Sequence, residues 1–174
     1  MKRSDKTYIS RDPRLITIRL GGLLHEQEHR LLAQWAAMCA QRVLDLNEKD
    51  HRGEGGVRQI IQAAFKWADS DISVNEARKA AYLAIAAAKE TGGAIKEVLR
   101  AAGHAAATSH MADHALAVAA YSVRAVMASV FDGEKETARL AERQYQIAIL
   151  PDEIRKLVLA GGRRRNKKFV NLFD

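Results

Sequence analysis

Two pairs of histidines set four residues apart are the first candidates for chemistry in this chain. His110-x-x-x-His114 and His25-Glu-Gln-Glu-His29 each place two imidazoles on successive turns of one helical face. A helix uses that spacing to offer two ligands to one metal ion. The second pair also satisfies H-E-x-x-H, whose glutamate would act as general base beside a catalytic zinc, and the inverted H-x-x-E-H form. No H-x-x-G-x-x-H extension follows it, and no third ligand lies on a neighbouring expected helix. Two such pairs on separate helices could build one four-ligand site. The competing reading gives His25 and His29 a capping or surface role, and makes His110 and His114 hydrogen-bonded core residues.

Other catalytic patterns are absent from the sequence. Cys39 falls between Trp35 and Val43 on an apolar helix face, so an inert buried thiol is expected rather than a nucleophile. There is no G-x-S-x-G elbow. Gly53-x-Gly55-Gly56 joins two expected helices and is not followed by Lys-Ser/Thr, so it is no phosphate loop. Trp35, Trp67 and Tyr121 sit at core spacing. The expectation is a protein without catalytic residues, metal or cofactor, with a metal or small-molecule site at His110 and His114 as the alternative.

The elements that must position these residues are helices. The chain has 174 residues, 48% of them hydrophobic and 28% charged, with only two prolines and much alanine. That is one domain of all-α class, long enough to bury a real core. The expected architecture is a compact bundle of about six helices around an alanine-rich central helix, over 23–174, behind an irregular arm at 1–22. Within the arm, residues 15–20 alternate weakly, allowing a short extended segment before Gly21-Gly22.

The first helix is expected from about Leu24 to Lys49, with Trp35, Ala36, Cys39 and Val43 in its apolar stripe. A polar, Gly-rich turn follows at 47–56, then a helix from Val57 to Ala68. Ser73-Val74-Asn75-Glu76 is a capping box that opens a third helix to about Glu90. The central region runs from Ala94 to Phe131, with a break expected near Gly103. A helix at 134–149 is expected to turn Leu140, Ala141, Tyr145 and Ala148 inward. A short last helix starts at Pro151 and is broken by Gly161-Gly162, and the apolar Phe169, Val170, Leu172 and Phe173 are expected to dock on the bundle.

The segment Gly103–Tyr121, GHAAATSHMADHALAVAAY, carries small or apolar residues on every side, as a buried central helix would. On one continuous helix, His110, His114, Ala117 and Tyr121 share a stripe with Gly103, and Asp113 lies beside it. His104 falls on a different face with Thr108, Met111 and Ser122, so a three-histidine cluster on that single helix is excluded.

The net charge of +7 sits at the two ends. Residues 1–14 carry five cations against Asp5 and Asp12. Residues 161–174 carry Arg163, Arg164, Arg165, Lys167 and Lys168 against Asp174, so residues 15–160 are formally neutral. This favours solvated basic termini over a nucleic-acid-binding face, which interleaves base-reading groups with its charge. Nucleic-acid association through the 163–168 run is kept as a further alternative. The lone Cys39 excludes an internal disulfide, no apolar stretch is long enough to span a bilayer, and MKRSDKTYIS has no apolar signal-peptide core. A cytoplasmic protein is the expectation.

Several stretches, taken in order, carry a family resemblance. They are His29-Arg30 with Leu32, Trp35-Ala36-Ala37-x-Cys39-Ala40, Val43-Leu44, and the run from Ile72 to Ala88. They continue with Gly103 to Thr108, His110, His114-Ala115, Tyr145-Gln146, Leu150-Pro151, Ile154-Arg155-x-Leu157-Val158 and Arg163-Arg164-Arg165-Asn166. From about residue 23 onward the chain resembles bacterial immunity proteins with an Imm-5-like domain, an all-helical group linked to polymorphic-toxin systems. The resemblance implies a cytosolic helical protein that binds a cognate toxin domain and blocks it without catalysis. The partner surface is then expected near the 47–56 turn and at Arg163, Arg164, Arg165, Lys167 and Lys168. One departure stands out: immunity proteins against basic nuclease toxins are commonly acidic, and this chain is basic at both ends.

Overall fold

The computed structural model describes residues 12–47 and 55–169, with side chains as far as Arg164. Among these residues the chain forms seven α-helices and no strand. They are α1 (Glu26–Asn47), α2 (Gly55–Ala68), α3 (Val74–Lys89), α4 (Gly93–Ala107), α5 (His114–Ala128), α6 (Lys135–Ala148) and α7 (Asp152–Phe169). The all-α bundle expected from composition is what forms. Helices α3 to α6 are successive neighbours, with α4 packed most extensively between α3 and α5. Helix α1 crosses α4 and α5, and α2 lies against α1, α3 and α4. None of the helices among the described residues is long and apolar enough to cross a membrane.

Local chemistry explains most boundaries. Glu28 accepts the backbone N–H of His25 at 2.9 Å and so caps the start of α1. Buried Leu32, Trp35, Ala36, Cys39, Ala40 and Val43 then form the α1 core stripe. The Ser73 capping box is present as read, with both reciprocal hydrogen bonds made. Arg30 reaches from α1 to donate to the last carbonyls of α2, Trp67 O at 2.9 Å and Ala68 O at 3.0 Å. The arm from Asp12 to Leu24 forms two 3-10 turns and one isolated bridge, Thr17 to Leu24, and buries Leu15.

Three expectations need correction. The break in the central region falls at 108–113 rather than at Gly103. Gly103 is there for close approach: a Cβ on it would lie 3.0 Å from Ala84 Cβ and 3.4 Å from Ala81 O of α3. Gly161-Gly162 does not end the last helix either. Both residues are buried inside α7, and a Cβ on Gly161 would meet Leu116 Cδ1 at 2.9 Å. Finally, α6 is turned the other way round. Leu140, Ala141 and Ala148 face solvent and Tyr145 is half-buried, while Glu142, Arg143 and Gln146 are buried. The expected docking of Phe169, Val170, Leu172 and Phe173, and the turn residues 48–54, lie outside the described side chains.

The inward face of α6 is polar because a hydrogen-bond network receives it. Trp35 Nε1 donates to Gln146 O at 2.9 Å. Gln146 Nε2 donates to Glu142 Oε1 at 2.9 Å and to Ala119 O at 3.1 Å, and Gln146 Oε1 accepts from Arg143 at 2.6 Å. Arg42 Nε pairs with Glu142 Oε2 at 3.0 Å. The amide of Gln146, 0% exposed, therefore has partners on both ends, which is the condition for burying such a group without a large cost.

Candidate functional site

The reversal between α4 and α5 contains neither glycine nor proline. Side chains end the helix there. Thr108 Oγ1 donates to His104 O at 3.0 Å and Ser109 Oγ to Ala106 O at 2.8 Å, capturing carbonyls at the close of α4. From α1, His29 Nε2 donates to the carbonyl of Thr108, a residue fully buried. The His29 ring packs on Trp67, centroids 4.7 Å apart. Burial pulls the His29 imidazole below its usual 6.5, against an opposing pull from the Thr108 carbonyl. His25, four residues earlier, is exposed. The H-E-x-x-H pair is thus divided between solvent and core, and its second histidine is a strut for the reversal, not a surface residue.

Because the chain doubles back, residues that one continuous helix would separate are brought together. His104 Nδ1 and His114 Nδ1 lie 2.8 Å apart, a hydrogen bond in which one ring carries the proton and the other accepts it. The His110 and His114 ring centroids are 5.3 Å apart. His104 stacks on Tyr121 at 5.1 Å with planes only 16° apart. The guanidinium groups of Arg100 and Arg124 approach the same Tyr121 ring at 5.5 and 5.4 Å. Three histidines do cluster, then. Their exclusion held only while 103–121 was one helix.

Of the expected stripe, His110, His114 and Tyr121 meet in this group, and His104 joins them. Asp113 is buried at the start of α5 and, with His110, borders Leu15, Ile16 and Thr17 of the arm. Among the described residues no three His, Cys, Asp or Glu side chains converge as metal ligands. Arg163 and Arg164 are exposed on α7, and Arg164 reaches Asp12 at 3.1 Å. Asp12 also takes Arg14 at 2.7 Å, and the Arg14 hydrogen bond holds its carboxyl below the usual range. Arg165, Lys167 and Lys168 continue the α7 backbone, their side chains outside those described.

Cys39 and Glu142 are among the further groups whose acidity is shifted. Cys39 is enclosed in the core, where burial pushes its thiol well above the usual value, as its apolar helix face suggested. Burial also raises the Glu142 carboxyl, opposed by the hydrogen bonds from Gln146 and Arg42. Sequence reading missed Glu142 because charged residues on an outer helix normally face water. The one available signal was Trp35, whose buried indole N–H requires an acceptor. Elsewhere, a groove of about 560 Å³ runs between α2, α3 and α4 past Val57, Ile60, Leu83, Ile95 and Leu99, with Gln59 the one polar side chain lining it among the described residues. No titratable group among the described residues lines it.

No curated protein and no solved structure matches the chain. A family model described as Imm-5 like putative immunity protein matches residues 22–153, which takes in α1 to α6, the helix reversal and the buried Glu142 network. The chain belongs to the Imm-5 like putative immunity protein family.

Proposed function

We propose that this chain is a stoichiometric inhibitor that binds a cognate bacterial toxin domain and neutralises it without catalysis of its own. The family match over residues 22–153 carries this reading. Physical chemistry supports it. Cys39, Glu142 and His29, whose acidity burial shifts, are packed into the core, and Glu142 and His29 are held by the fixed partners Arg42 and Thr108. The histidines at the reversal are held ring against ring.

The test is protection in cells. The toxin domain encoded by the adjacent gene is induced with and without this chain, and growth is followed. Growth restored by the chain supports the reading, and killing that continues at full expression of folded protein refutes it.

A further inference from the structure

On α3, the residue after each buried alanine belongs to a second stripe. Ala77, Ala81, Ala84 and Ala88 are buried. Arg78, Tyr82, Ile85 and Lys89 follow them one by one and form an outward row at helical spacing. Tyr82 is 61% exposed and Ile85 39%, and Arg78 Nη2 donates to the Tyr82 hydroxyl at 3.2 Å. Helix α4 continues the surface with Glu97, Arg100 and His104. Ile85 Cγ1 lies 3.5 Å from where a Cβ on Gly103 would stand, beside His104. Helix α5 completes it with Tyr121 and Arg124, joined to α4 through the Arg100 and His104 contacts on the Tyr121 ring. Tyr82, Ile85 and Lys89 are exposed, and Arg100, His104, Tyr121 and Arg124 are half-buried, so these rows reach the surface.

This surface is cationic although the central part of the sequence is formally neutral. Arg78, Lys89, Arg100 and Arg124 stand on it, and the one carboxylate within the three rows, Glu97, is taken by Arg100 at 2.9 Å. Around Tyr82 and Ile85 the composition is that of an interface centre, aromatic and Arg-rich with an aliphatic neighbour.

Resting on the function proposed above, we infer that the α3–α4–α5 face is the toxin-docking surface. Its partner is an acidic protein surface: carboxylates meet Arg100 and Arg124, and an apolar side chain packs on Tyr82 and Ile85. Charge complementarity selects this occupant. A second copy of the chain would set cation against cation across a two-fold contact. A nucleic-acid strand stacks its bases on several open rings in succession, and of the two tyrosines on this face only Tyr82 is open, Tyr121 being covered by His104 and two guanidinium groups. An acidic partner also accounts for the departure from the acidic immunity proteins that meet basic toxins.

The test is a binding titration of the purified full chain with the adjacent-gene toxin domain, at low and high salt. Variants are Arg124→Glu, Tyr82→Glu at an exposed position, and the double variant Arg163→Glu with Arg164→Glu. Circular dichroism confirms folding, and Tyr82→Glu carries the test if Arg124→Glu does not fold. The inference expects at least a tenfold loss of affinity for each face variant, a change within twofold for the double variant, and weaker binding at high salt. Wild-type affinity in the face variants, or loss confined to the double variant, overturns the face while leaving the toxin-binding function standing. A wild-type chain that binds no toxin refutes the function itself and the face with it. A dimer dissolved by Tyr82→Glu, or an RNA oligonucleotide bound more tightly than toxin and released by Arg124→Glu, also overturns it.

Discussion

Replacing His29 with phenylalanine keeps an aromatic ring against Trp67 and removes one hydrogen bond. The acceptor is Thr108 O, in a residue 0% exposed at the helix reversal. A buried carbonyl left without its donor costs about 1–3 kcal/mol. The phenyl ring is larger than imidazole, so crowding at this buried site adds to that cost rather than offsetting it. Urea unfolding followed by circular dichroism should show a lower midpoint at unchanged slope at neutral pH.

The effect should also depend on pH, with a definite sign. Burial lowers the folded-state pKa of His29 below its usual 6.5, so between those values the unfolded chain binds a proton that the folded chain does not. The His29 contribution is therefore fully present above 6.5 and declines as pH falls through the depressed folded value. A phenylalanine ring cannot titrate, so the gap between wild type and His29→Phe should narrow as pH drops below 6.5. An unchanged midpoint at neutral pH, or a gap that widens on acidification, would refute the strut role of His29.

Three other outcomes are expected. Gly103→Leu should destabilise by about 1–3 kcal/mol in thermal or urea unfolding, because even its Cβ would stand 3.0 Å from Ala84 Cβ. Glu142→Ala should cost about 1–3 kcal/mol, since it leaves the buried Gln146 amide short of an acceptor and Arg42 without its carboxylate, and its urea midpoint should fall well below that of a surface control such as Glu153→Ala. Cys39 should resist a thiol reagent in the native protein at neutral pH and react on unfolding, as absorbance of the released thiolate would report.

What was legible in the sequence follows from which interactions are local. The Ser73 capping box, the α1 core stripe and the all-helical class depend on spacing within one helix, and spacing is visible in a sequence. The reversal at 108–113 was not visible, since it is made by two hydroxyls and by a histidine 79 residues away rather than by glycine or proline. The glycines that do occur, Gly103 and Gly161, answer to neighbouring helices, so reading them as breaks misplaced both boundaries. The helical wheel then separated His104 from His110 and His114 because it assumed a helix that does not exist. Helix α6 was inverted for a similar reason: Glu142 and Gln146 are buried by partners on α1 and α5, which no pattern within α6 announces.

Inhibition by binding, one molecule to one, is decided by titrating purified adjacent-gene toxin with this chain. Residual toxin activity is measured at each step, and the mass of the complex is read by sedimentation. Activity should fall linearly to an end point at one equivalent, with a complex of summed mass. Inactivation by a small fraction of an equivalent, or no complex at micromolar concentrations, would contradict it.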